Sequence, residues 1–238
     1  MTNDQKTIKS ELNKYADSEK AGFLLRYFKV FPGGYGEGDL FIGVKVPYQR
    51  IIARKYYLEI PLQEVERLLQ DPVHECRLTA LFILSLRFEK SRTEEDKKEI
   101  VDLYLWNLSY VNNWDLVDSS AEKILGPYLM DNKKDLLYEL AESGDLWKQR
   151  TAMMTTFHFI KNGRFTETLD LAEGFLQHKH DLMHKAVGWM LREIGKRDFS
   201  VEYEFLQKHY RKMPRTMLRY AIEKFEPQLR EKFLKGLL

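Results

Sequence analysis

Asp118 stands four residues after Trp114 in the stretch NNWDLVDSSA, a spacing that puts both side chains on one face of a helix. Leu116, Val117 and Ala121 give the same stretch the apolar rhythm of a buried helix. A carboxylate on such a face costs on the order of several kcal/mol unless it is paired or hydrogen-bonded. Two readings follow. Either a cation such as Arg150 neutralises Asp118 for structural reasons, or the site holds a negative charge to face a positive one that develops during a reaction. Tryptophans recur at 114, 147 and 189, and arginines follow two of them by three residues, as Trp147 with Arg150 and Trp189 with Arg192. Each such pair shares a helix face. It serves either a ligand-binding groove or plain core packing, with the arginine capping a carbonyl.

Other reactive groups are placed less productively. HKHDLMH offers His178, His180 and His184, the last two at helical i,i+4 spacing, but no HExxH pattern or cysteine set accompanies them and Lys179 opposes a cation. No metal is expected. GGYGEGD, with glycines at 34, 36 and 38, lacks a preceding strand and a following basic residue, and Glu37 and Asp39 would repel a phosphate, so a structured turn is expected. Cys76 follows His74 and Glu75 on one helix and cannot oppose a base without a third element. As the sole cysteine it cannot form an internal disulfide, which fits a reducing cytosol, and a small buried residue is expected there.

The elements that must position these residues read as helices. The 238 residues are 44% hydrophobic and 31% charged, the composition of a folded globular protein. MTNDQKTIKS has no apolar targeting core, and LTALFILSL is too short to cross a bilayer. A cytoplasmic, non-membrane protein is expected. Net charge is +2 but uneven: residues 1–144 carry 20 Lys and Arg against 24 Asp and Glu, a balance of −4, and residues 145–238 carry 18 against 12, a balance of +6. A basic C-terminal part is compatible with an anionic partner such as nucleic acid.

Stop and start signals recur along the chain. Asp71-Pro72 predicts a cap and first helical residue for VHECRLTALFILSLRF, and Thr93 caps the acidic start of EEDKKEIVDLYLWNL. Gly144 and Asp145 separate two helices, Asn162-Gly163 and Gly195 close two more, and Pro214 and Pro227 each suit a first turn. DLFIGVKVPY is the best strand candidate, yet its glycine and proline favour an ordered loop. The fold class is therefore all-α. From about residue 61 the helices arrive in pairs every 35 to 45 residues, the spacing of a HEAT-like helical repeat solenoid whose concave face forms a groove. A compact irregular bundle is the structural alternative. One domain spanning 1–238 is expected.

The stretches GEGDLFIGVKVPYQRI, HECRLTAL, NNWDLVDSSA, LWKQRTAMMTTFHFIK, HKAVGWMLREIGKRD and MPRTMLRYAIEKF, dispersed from about residue 20 to 225, resemble the DNA alkylation repair proteins of the AlkD type, glycosylases built from HEAT-like repeats. The resemblance implies an aspartate four residues after a tryptophan, here Asp118 and Trp114, and a catalytic arginine, here Arg150. It also implies a tryptophan at Trp189, DNA-backbone contacts at Lys148 and Arg192, and a third aromatic at Tyr27. Gln149 departs from the pattern, standing where a basic residue is expected.

What the family does would explain the aspartate. A purine alkylated at N3 or N7 is cationic, its glycosidic bond is weak, and its departure leaves oxocarbenium character on the sugar that a carboxylate can stabilise while positioning water. The leaving base is neutral, so no separate general acid is needed. The resemblance thus implies a monofunctional DNA glycosylase acting on alkylated purines in double-stranded DNA, with no cofactor, no metal, no obligate protein partner and a monomeric state. Two rivals remain: a non-catalytic repeat protein that binds damaged or branched DNA, and a helical scaffold for another protein.

Overall fold

The computed structural model describes residues 3–238, with side chains from residue 7 onward. Every regular element in it is helical, and among the described residues the only β pairing is a single parallel bridge between Leu40 and Val73. The contacts group the chain into two compact units, 1–124 and 125–238. Among the described residues no helix is long and apolar enough to cross a membrane.

The first unit contains α1 (Asn3–Asn13), α2 (Ser18–Tyr27), α3 (Val46–Tyr56), α4 (Leu62–Leu69), α5 (His74–Lys90) and α6 (Glu94–Trp106), and the start of α7 (Trp114–Asp131). Helix α5 is its centre. It packs against α3, α4 and α6 and is buried almost all round from His74 to Ser85. LTALFILSL is thus an interior helix, apolar on every side because it has neighbours on every side. Thr93 caps α6 through Asp96 N as its position predicts.

The start of α5 differs from expectation. Asp71 and Pro72 do not cap it; the helix opens at His74, with Val73 at the cap. The Asp71 carboxylate accepts from Val73 N and pairs with Lys9 Nζ at 2.8 Å. The Pro72 carbonyl accepts from Leu40 N, and His74 N donates to Leu40 O at 2.8 Å. These bonds hold Val73 extended beside DLFIGVK, which is an ordered loop as its composition predicts, whereas VPY at the end of the same stretch opens α3. GGYGEGD is the expected turn, closed in part by Gly33 N donating to Glu37 Oε2.

The second unit contains α8 (Asp135–Glu142), α9 (Leu146–Lys161), α10 (Thr166–Gly174), α11 (Asp181–Gly195), α12 (Phe199–His209), α13 (Arg215–Ala221) and α14 (Pro227–Lys235). Its centre is the α9 and α11 pair: α9 also packs on α8 and α10, and α11 on α12 and α13. Asp145 caps α9 by accepting from Trp147 N and Lys148 N. Pro227 occupies the first turn of α14 as predicted, whereas Pro214 is the residue before α13, so its ring ends the preceding loop rather than opening the helix. Gly195 is the last residue of α11, but the reason for glycine is space. A Cβ there would lie 1.6 Å from Glu202 Oε2.

Candidate active site

Helix α7 presents Trp114 and Asp118 on one face, and both are half-buried. The structure brings Tyr27 to the same place: its ring meets Trp114 edge-on at 6.0 Å. Behind Trp114 lies Phe28, stacked at 5.3 Å and 25°. Phe28 and Phe41 in turn lie against the imidazole of His74, at 5.1 and 4.6 Å. Trp114 therefore sits within a continuous series of packed rings, between the exposed Tyr27 and the buried Phe28, which fixes its orientation before any ligand arrives.

The base of that series is ionic. His74 Nδ1 lies 2.9 Å from Asp39 Oδ2 and Nε2 lies 2.9 Å from Asp115 Oδ2. A neutral imidazole has one N–H and could satisfy only one carboxylate, so a ring held between two donates from both nitrogens as a cation. Burial alone would depress the His74 pKa, but the charge and hydrogen bond of Asp115, joined by those of Asp39, raise it to about 9. Asp39 is opposed by its own burial, yet His74 and Arg77 hold its carboxyl below the usual range. Arg77 donates to Asp39 Oδ1 at 2.6 Å and to Asn112 Oδ1 at 3.2 Å.

This network fastens the first turn of α7. Asp115 also accepts from Leu116 N, and Asn113 accepts from Trp114 N. The tethered turn is the one that carries Trp114 and leads directly to Asp118. None of this is visible locally in the sequence, where Asp39 reads only as a turn acid and His74 as a neighbour of Cys76. Cys76 is fully buried, and burial pushes its thiol up to about 12, so it is an inert core residue.

In the second unit, Arg150 is 4% exposed and donates to Leu182 O at 2.6 Å, which joins α9 to the start of α11. Lys148, two residues earlier, is exposed. Trp189 and Arg192 share a face of α11. Trp189 Nε1 donates to Glu193 Oε1 at 3.2 Å and its ring lies 5.8 Å from Phe157. The close approach of α13 to α11 depends on Gly188, because a Cβ there would meet Met217 O at 2.4 Å. Arg192 forms an ion pair with Glu223, a partner the sequence pattern does not reveal.

Gln149 is committed to structure: it donates to Ala141 O and its Oε1 meets His178 Nε2 at 2.9 Å. The histidines are likewise spent on backbone. His180 is the cap of α11, accepting from Leu182 N, and His184 Nε2 meets His178 O at 2.5 Å. Because His180 precedes the helix, the expected i,i+4 pair on one helix does not form. Among the described residues no group of three or more His, Cys, Asp or Glu side chains is arranged to hold a metal ion.

No curated protein matches the chain. A solved structure, described as a predicted DNA alkylation repair enzyme from Enterococcus faecalis, is similar with a TM-score of 0.69 at 18% identity, over 89% of this chain and 97% of that one. This likeness shows a shared fold. The DNA alkylation repair enzyme family matches residues 8–225, nearly the whole chain, and the chain belongs to that family.

Proposed function

We propose that the protein is a monofunctional DNA glycosylase that hydrolyses the N-glycosidic bond of cationic N3- and N7-alkylated purines in double-stranded DNA. The observation that carries this reading is the Trp114 and Asp118 face of α7, held by a buried ion network in a chain of the DNA alkylation repair family. A structural pair alone would not call for so rigid a mounting of a half-buried acid.

Asp118 stabilises the oxocarbenium-like sugar as the base departs and positions the attacking water. The base leaves neutral, so one carboxylate suffices. Trp114, Tyr27 and Trp189 lie against the lesion or its deoxyribose, where cation–π attraction contributes about 0.5 to 2 kcal/mol per contact and favours a charged purine over a normal one. Arg150, pinned by the Leu182 carbonyl, supplies a fixed guanidinium for a phosphate near the lesion. Lys148 and Arg192 contact the backbone without reading sequence. Arg192 must then exchange Glu223 for phosphate.

The test is chromatography of the products from methylated duplex DNA. Release of free alkylpurine, leaving an intact strand with an abasic site, is the expected result. DNA binding without release would replace this reading with that of a non-catalytic binder of damaged DNA.

A further inference from the structure

Trp114 borders a cavity of about 600 Å³ within the first unit. This size suits a small organic ligand. Its walls are aromatic: Phe23, Tyr27, Phe28 and Phe41 line it with Trp114. Phe23 and Tyr27 are about half exposed, at 46% and 53%, so the cavity opens to solvent past them. Such walls fit a flat ring.

Apart from the cations Lys20 and Lys45, the polar groups Gln49, Glu75 and His74 offer acceptors or have their donors already committed. Gln49 is 2% exposed, and its Nε2 donates to Val44 O at 2.8 Å, which assigns the other amide atom as oxygen. That Oε1 has no partner. A buried unpaired acceptor is costly, and a donor arriving with a ligand removes the cost. The Glu75 carboxylate accepts from Ile42 N and Gly43 N, and an ionised carboxylate offers no donor. Both N–H groups of His74 are spent on Asp39 and Asp115. At Gln49 and Glu75 an anion meets only oxygen, the cations of the lining being Lys20 and the exposed Lys45, and an aliphatic ligand leaves Gln49 Oε1 unpaired.

We infer that this cavity binds a nucleobase bearing an exocyclic amine, stacked between the aromatic walls with the amine donating to Gln49 Oε1. The base arrives either free or as an unpaired base of a strand, whose phosphate the exposed Lys45 at the cavity is placed to meet. The inference does not depend on base excision, since its probes carry no alkylated lesion.

The test uses the full chain in ligand-observed NMR and calorimetry with 9-methyladenine and with 9-methylpurine, which lacks the amine. 9-Methyladenine is expected to bind about tenfold more tightly, the worth of one hydrogen bond to a buried acceptor. Gln49→Leu is expected to erase that difference. Phe23→Ala, at an exposed position that does not put folding at stake, is expected to weaken both ligands. Duplexes with a bulged adenine or a bulged purine separate the sources. Preference for the bulged adenine, competed by 9-methyladenine, identifies a strand base; binding of the small molecule without such preference identifies a free base. Equal affinity for the two small molecules, or no binding of 9-methyladenine together with no preference between the bulges, overturns the inference.

Discussion

The two units mount their candidate site residues differently. In residues 1–124, Trp114 rests on a packed series of rings that ends on His74, and His74 is clamped between Asp39 and Asp115. In residues 125–238 the corresponding groups are held from different elements: Arg150 donates to the Leu182 carbonyl, Trp189 to Glu193, and Arg192 pairs with Glu223. A cooperative buried network sets one geometry and is sensitive to loss of any member. A tether at a half-exposed position, such as the Arg192 ion pair, can be exchanged for phosphate. The first arrangement suits chemistry at a fixed point, the second suits gripping a repetitive backbone.

That contrast can be broken most severely at His74. His74→Ala leaves Asp39 and Asp115 without their shared cation, and loss of one member of a buried ion network costs about 3 to 5 kcal/mol. Thermal unfolding should show a large drop in Tm. Titration should show the same group. The folded pKa of His74 is raised to about 9, so its stabilisation is complete below its unfolded value near 6.5 and is lost as pH rises through 9. Stability should fall by at most about 3 kcal/mol across that window in the wild type, and the fall should be absent in His74→Asn. An unchanged pH profile in that variant would remove His74 from the network.

The second unit has its own buried charge problem, with the opposite remedy. Glu202 is 2% exposed, burial raises its carboxyl to about 8, and Arg192 offsets this only in part. A raised carboxyl binds more protons folded than unfolded, so it lowers stability as pH climbs from about 4.5 through 8. Glu202→Met, similar in length and free of charge, should gain about 1 to 2 kcal/mol at pH 8.5 and less at pH 5 in denaturant unfolding. A smaller effect concerns binding. Glu223→Gln releases Arg192 from its ion pair and should raise DNA affinity a few-fold, with a steeper dependence on salt. No change in salt slope would show that Arg192 does not reach phosphate.

The helical architecture was legible because its signals are local. Thr93 and Asp145 cap the helices they precede, and the four-residue spacing puts Trp114 and Asp118 on one face of α7. What was not legible depends on contacts across long stretches of chain. His74 meets Asp39 and Asp115 from 35 and 41 residues away, and Arg192 meets Glu223 from 31. The Asp71-Pro72 signal failed for the same reason: Leu40, 33 residues before Val73, holds the chain extended past the proline. Gln49 gave no sign at all, since an orphaned acceptor exists only once walls enclose it.

The most direct test of the central claim is single-turnover release of alkylpurine from methylated duplex DNA by the wild type and Asp118→Asn, with DNA affinity measured alongside. The account predicts release by the wild type and a loss of more than about 100-fold in the variant with affinity kept, since the carboxylate acts on the transition state rather than on binding. Equal rates in the two proteins would contradict it and return Asp118 to a structural role.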